Sequence, residues 1–172
     1  MFVTDEPSHA PNWGNHDSWN SYNSYWGNRF KDLRGGRFIA KLLQPSGLSL
    51  DDVWVADSIK CPTTAHVERG IPSADTADAF AHCRRYLEEE IDIVDPEVIV
   101  CLGKPASTRT LQALGVPERE ANRIRVTKDF GRAAFDTDYS TILSPHWAQR
   151  TMRESEWVPT IQNSIQEALA ER

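Results

Sequence analysis

Apolar residues along this chain alternate between two patterns, short unbroken runs and stretches spaced by three and four. Met1-Phe2-Val3 is a short apolar run that reads as a strand, either a stub or the tail of one starting upstream. Helical spacing covers Leu33 to Leu43 and stops at Pro45-Ser46-Gly47, a helix terminator. Val53-Trp54-Val55-Ala56 predicts a second strand, followed by a loop from Lys60 to Ala74. Phe80, Cys83, Leu87, Ile91 and Val94 then line one face of a helix over about 76–94. The run Val98-Ile99-Val100-Cys101-Leu102 has the length and continuity of a strand buried on both faces. Pro105 suits the first turn of the next helix. A weak strand, a second buried strand at about Thr141 to Leu143, and a helix carrying Trp157, Ile161, Ile165 and Leu169 complete the order.

Strands alternating with helices predict a mostly parallel sheet covered on both sides. The expected fold is α/β, a three-layer α/β/α sandwich on a four-stranded central sheet, as one domain over residues 1–172. No internal repeat or heptad pattern interrupts it. Residues 10–30 stand apart. Asn12, Asn15, Asn20, Asn23 and Asn28 are interleaved there with Trp13, Trp19, Tyr22, Tyr25, Trp26 and Phe30. No period fits them, so a long aromatic loop is expected. Its rings suit either stacking on extruded bases or capping a small core.

Composition narrows the class. The chain is 40% hydrophobic and 26% charged, the balance of a globular protein. With 19 basic and 25 acidic residues its net charge is −6, which excludes a basic, non-specific nucleic-acid coat but not a local basic strip. No apolar run approaches the roughly 18 residues of a membrane span. The expected location is cytoplasmic, with no membrane partner, and the 3 cysteines, an odd number without a close pair, fit a reducing compartment.

In open α/β sheets ligands bind beyond the carboxyl ends of the strands. Three places qualify: Thr4 to His9, Asp57-Ser58, and Ser144 to Arg150. Each reads either as loop polarity with helix caps or as part of one site. Gly103-Lys104 before a helix reads either as a phosphate cradle or as a plain turn. His66 is a loop histidine, and His9 and His16 with Asp17 do not make a recognised metal site. Arg132, Arg150 and Arg153 either line a groove or are scattered on the surface.

Four segments carry a resemblance. MFVTDEPS (1–8) is similar to the first signature of the uracil-DNA glycosylase superfamily, a strand running into a Gly-x-x-Pro-x turn. GLSLDDVWVADSIKCP (47–62) and HCRRYLEEEIDIVDPEVIVCLGKPAS (82–107) resemble its thermophile-type iron–sulfur branch, a family 4-like pattern. ILSPHWAQR (142–150) looks like the closing His motif. The resemblance implies a monofunctional glycosylase that hydrolyses the N-glycosidic bond of uracil or another deaminated base in DNA. It implies Glu6 and His146 as catalytic residues, the first for water and the sugar cation, the second for the departing base. It implies Asp57, Phe30 and Pro7 at the base, and Ser144, Gln149, Arg150 and Lys104 at the DNA. Damaged DNA is the expected partner and a monomer the expected state. Such hydrolysis needs no metal or diffusible cofactor.

The branch also holds a [4Fe–4S] cluster on four cysteines, two of them upstream of the first strand. Cys61 and Cys83 match the downstream pair, so a cluster is expected only if an upstream pair precedes residue 1. Thr4 and Ser8 stand where the family pattern has glycines, and Trp147 where it has proline. Asp57 stands where many members carry an Asn. An ionised Asp only accepts hydrogen bonds, so it suits an amino group and repels uracil O4. The alternatives are a non-catalytic module that binds DNA or protein, and a small-molecule nucleotide enzyme on the same sheet.

Overall fold

The computed structural model describes residues 1–5, 32, 34–60, 74–149 and 151–171, with side chains from residue 79 onward in the third of these longer segments. Among the described residues, five strands form one sheet: β1 (Phe2–Thr4), β2 (Val55–Asp57), β3 (Val98–Leu102), β4 (Gly131–Arg132) and β5 (Ser140–Ser144). Their order is β2-β1-β3-β5-β4. The first four in that order are parallel, and β4 alone runs antiparallel to its neighbour. The helices are α1 (Arg34–Leu43), α2 (Ala74–Val94), α3 (Lys104–Ala113), α4 (Glu118–Ala121) and α5 (Glu154–Ala170).

Residue alternation along the strands assigns the layers. Phe2, Val98, Val100, Leu102 and Ile142 face one side and pack against Phe38, Ile39 and Leu42 of α1 and Trp157, Val158 and Ile161 of α5. Val3, Ala56, Ile99 and Cys101 face the other side, against Leu87 and Ile91 of α2 and Ala106 of α3. Leu143 continues that second face into a smaller cluster with Leu111, Val116 and Ile124. β3 is buried at every residue because helices cover both of its faces. The three-layer α/β/α architecture expected from sequence is therefore present.

Two details differ from expectation. The sheet has five strands, not four, because the weak strand before the last one joins the edge as β4. That strand is two residues long and lacks an apolar run. It is held by pairing of Gly131 with Leu143 and Arg132 with Ile142, which no side-chain pattern encodes. The second strand also lies later than Val53–Ala56 and ends at Asp57. Upstream of it, Ser49 caps a 3-10 turn at Leu50–Asp52 through a reciprocal bond with Asp52, so Val53 belongs to the turn's exit.

Burial predicts how substitutions should rank. Ile99 is fully buried in β3, whereas Ile93 at the end of α2 is 84% exposed. Ile99→Ala should cost about 3 kcal/mol in chemical denaturation, and Ile93→Ala within about 0.5 kcal/mol of nothing. Equal losses would contradict this layering.

Candidate functional site

Parallel pairing in register brings four strand ends to one edge of the sheet. Thr4 is paired with Asp57 across β1 and β2, and Leu102 with Ser144 across β3 and β5. Neighbouring strands lie about 4.8 Å apart, so the Asp57 and Ser144 backbones are separated by roughly 14 Å, with β1 and β3 between them.

At the β2 end, Thr4 donates its hydroxyl hydrogen bond to Asp57 Oδ1. The connection past β2 is stitched to the one past β1: Ser58 N–H bonds to Thr4 O at 2.9 Å and Ile59 N–H to Asp5 O at 3.1 Å. Asp57 is half-buried, and burial pushes its carboxyl up to about 6. The Thr4 hydrogen bond and Lys60 pull it back down, while Glu90 and Asp5 push it further up. Lys60 is paired with Glu90. Asp57 is thus an unusually basic carboxylate, ionised at neutral pH and protonated in mild acid.

At the β5 end, Gly103 N–H donates to Ser144 O at 2.7 Å, clamping the turn after β3 onto the turn after β5. Gly103 has φ 94, which a side chain resists, and a Cβ there would lie 3.2 Å from His146 Cβ. His146 Nδ1 accepts the Ala148 N–H at 3.1 Å, which assigns the proton of the neutral ring to Nε2. Burial, and then the charge of Arg34, hold the imidazole below its ordinary range. The ring lies against Trp147, with centroids 3.8 Å apart. Trp147 in turn fills the space over Gly35, where a Cβ would come within 3.1 Å of its Cζ2, and tilts onto Phe38. Position 147 therefore joins the strand-end loop to α1.

The other expected site residues fall as follows. Lys104 is exposed at the first position of α3, next to Gly103. Gln149 is half-buried, donates its N–H to His146 O at 2.8 Å and accepts the Thr151 N–H. Ser144 is fully buried and its hydroxyl turns to Pro145 O at 2.9 Å. Glu6, Pro7, Phe30, Arg150 and Cys61 lie outside the described residues, as does the aromatic loop of residues 10–30. Sequence reasoning missed Arg109, which pairs with Asp5 and reaches Ser58 Oγ at 3.3 Å. Its one signal is position: a lone Arg inside the otherwise small or apolar run from Ala106 to Leu111.

The cysteines within residues 1–172 do not by themselves make the ligand set of a four-iron cluster. Cys101 sits inside β3, where burial pushes its thiol up to about 12. Cys83 is buried on α2 and its Sγ accepts the Lys60 N–H at 3.4 Å. Of the 3 cysteines, Cys101 faces the core, so at most two remain for a set of four thiolates.

A parallel sheet that collects a carboxylate, a clamped glycine turn and an imidazole at its strand ends is an α/β protein whose carboxyl edge is the candidate ligand site. The family follows from comparison: the model of the Uracil DNA glycosylase superfamily matches residues 6–170, and the chain belongs to that superfamily. A type-4 uracil-DNA glycosylase of Thermotoga maritima is 32% identical over 73 residues, 42% of this chain and 35% of the relative. A type-4 uracil-DNA glycosylase of Archaeoglobus fulgidus is 29% identical over 93 residues, 46% of this chain and 40% of the relative. Both matches thus span less than half of either relative's length. Among the described residues, no helix is long and apolar enough to cross a membrane.

The raised carboxyl of Asp57 has a measurable effect on stability. Its folded value near 6 exceeds the ordinary 3.8, so its proton stabilises the fold fully below 3.8, and that contribution is lost as pH rises through about 6. Asp57→Asn removes the buried charge. The variant should be more stable than wild type at pH 8, on the order of 1 kcal/mol or a Tm rise of ~3 °C. The gain should vanish near pH 4. A Tm difference that does not change across that range would contradict the burial of this carboxyl.

Proposed function

We propose that this single domain is a monofunctional DNA glycosylase that hydrolyses the bond between deoxyribose and uracil, or another deaminated base, as in base excision repair. The observation that carries the reading is His146: a neutral imidazole with Nδ1 already bonded to the Ala148 N–H, so that Nε2–H is the donor available to a ligand. Membership of the superfamily supports the same chemistry.

When the glycosidic bond breaks, its electron pair leaves with the base and positive charge develops on the sugar. His146 Nε2–H stabilises the base oxygen that takes up the negative charge. A neutral donor suits this step because it stabilises the anion by hydrogen bonding without placing a second positive charge near the developing sugar cation. Glu6 accepts the proton of the attacking water while its charge stabilises the sugar cation. The water oxygen bonds to the anomeric carbon, and the products are the free base and an abasic site. No metal or diffusible cofactor takes part in this scheme.

Recognition divides along the same edge. The target nucleotide leaves the duplex stack, Phe30 and Pro7 form the flat wall, and Asp57 reads the far edge of the base. Thr4 occupies Asp57 Oδ1, which leaves Oδ2 for the base. Ionised, Oδ2 accepts from an amino group; protonated, it donates to a carbonyl such as uracil O4. Lys104, Gln149 and Arg150 contact the DNA backbone. Ser144, with its hydroxyl engaged by Pro145 O, anchors the loop in place of the DNA contact expected from sequence. The protein acts on DNA as a monomer in the cytoplasm.

Labelled oligonucleotides carrying uracil, hypoxanthine, cytosine or a mismatched thymine, followed by alkali, test the reading. Alkali-labile breaks should appear with at least one base and fall at least about 100-fold in Glu6→Gln and His146→Ala. Binding without breaks would instead favour a non-catalytic DNA-binding relative. Activity on free nucleosides but not on DNA would point to a nucleotide enzyme.

The same assay separates the two states of Asp57. The ratio of wild-type to Asp57→Asn uracil excision should rise as pH falls from 8 to 5, because protonation around 6 supplies the donor that Asn always has. A ratio that stays flat or falls would remove Asp57 from base reading.

A further inference from the structure

Arg109 makes a set of contacts that packing of α3 does not require. Its side chain is 13% exposed, and Nη1 donates to the Asp5 carboxylate. The same nitrogen lies 3.3 Å from Ser58 Oγ, and the guanidinium carbon is 5.7 Å from the centre of the Phe80 ring on α2. Asp5 is also held by its backbone. Its carbonyl accepts the Ser58 hydroxyl at 2.5 Å and the Ile59 N–H at 3.1 Å. Side chain and main chain of this one residue are therefore tied to three elements: α3, the turn after β2, and β1 itself.

We propose that Arg109 is a positioning residue, clamping Asp5, the residue that immediately precedes Glu6 in sequence, and thereby holding the end of β1. One peptide bond separates the clamped residue from Glu6. The proposal rests on the reading of Glu6 as the carboxylate at the sugar.

The chemistry explains the choice of residue. A planar guanidinium holds the Asp5 carboxylate while reaching the Ser58 hydroxyl, and its face lies over an aromatic ring. Both polar contacts come from Nη1, so what an ammonium would lack is the flat face over the Phe80 ring. Asp5 also adds to the repulsion at Asp57, so its placement bears on that carboxyl too. The strand-end turn is thus held by a half-buried ion pair. Small displacements of a reacting group are costly in such chemistry, so a clamp one residue upstream has leverage.

The test uses Arg109→Gln, Arg109→Lys, Asp5→Asn and the Arg109→Gln/Asp5→Asn double variant of the full chain. Amide exchange reports on the clamp without reference to activity. Ser58 and Ile59 N–H, which bond to Thr4 and Asp5 carbonyls, should exchange at least about tenfold faster in Arg109→Gln, while Val100 and Ile142 keep their protection. In single-turnover excision, Arg109→Gln should lose about 100-fold in rate, with Kd for an abasic-site oligonucleotide within about threefold of wild type. Arg109→Lys should recover part of the rate. Asp5→Asn should match Arg109→Gln, and the double variant should be no slower than either single one.

Unchanged exchange at Ser58 and Ile59, or a rate within twofold of wild type, would overturn the clamp. So would loss of protection across the whole core, which marks a merely structural role, or losses that multiply in the double variant. A wild-type protein that excises no base would sink the functional reading instead, and the clamp would then stand or fall on the exchange data.

Discussion

Register in the parallel ladder is the constraint on which the rest depends. Side chains in a strand alternate between faces, so a slip of one residue would turn Val3, Ile99 and Cys101 away from α2 and α3. The same slip would separate Thr4 from Asp57 and Gly103 from Ser144. Core packing and site geometry are therefore set by one variable. The apolar faces supply the energy that fixes it, through the continuous burial of β3 and the two helix layers. The polar strand ends inherit their positions from that packing and contribute little to it.

Each half of the site then shows a different use of limited space. At β2, the hydroxyl of Thr4 orients a carboxyl that burial makes reluctant to ionise. At β5, the missing side chain of Gly103 lets His146 come close, and Gly35 leaves room for Trp147 to fold against α1. Thr4 and Trp147 are positions where the chain departs from the family pattern it resembles, and both are built into contacts. The added bulk has been accommodated by the neighbours and does not stand free in the loops.

Much of this was legible in the sequence because it is local. The run Val98–Leu102 announces a doubly covered strand, and the spacing of Leu87 and Ile91 announces the helix that covers it. The strand-end rule picked out Asp57 and His146 before any geometry was known. What stayed hidden is non-local. The Thr4–Asp57 contact joins residues 53 apart through register alone. The Arg109–Asp5 pair joins residues 104 apart, and nothing near Arg109 in sequence hints at its partner. The weak strand before the last one was left out of the expected four-stranded sheet for a related reason, since two residues recruited by backbone pairing carry no pattern that shows their partner. Glu6, Pro7, Phe30 and Arg150 lie outside the described residues, and their roles are carried by the functional proposal.

The account turns on the protonation state of one ring. If the strand ends hold a neutral imidazole ready to receive a departing base, nitrogen-15 NMR of the His146 side chain should show it directly. At pH 7 the account predicts a neutral ring with its proton on Nε2 and a titration below the ordinary histidine range. An imidazolium at pH 7, or a neutral ring protonated on Nδ1, would contradict it.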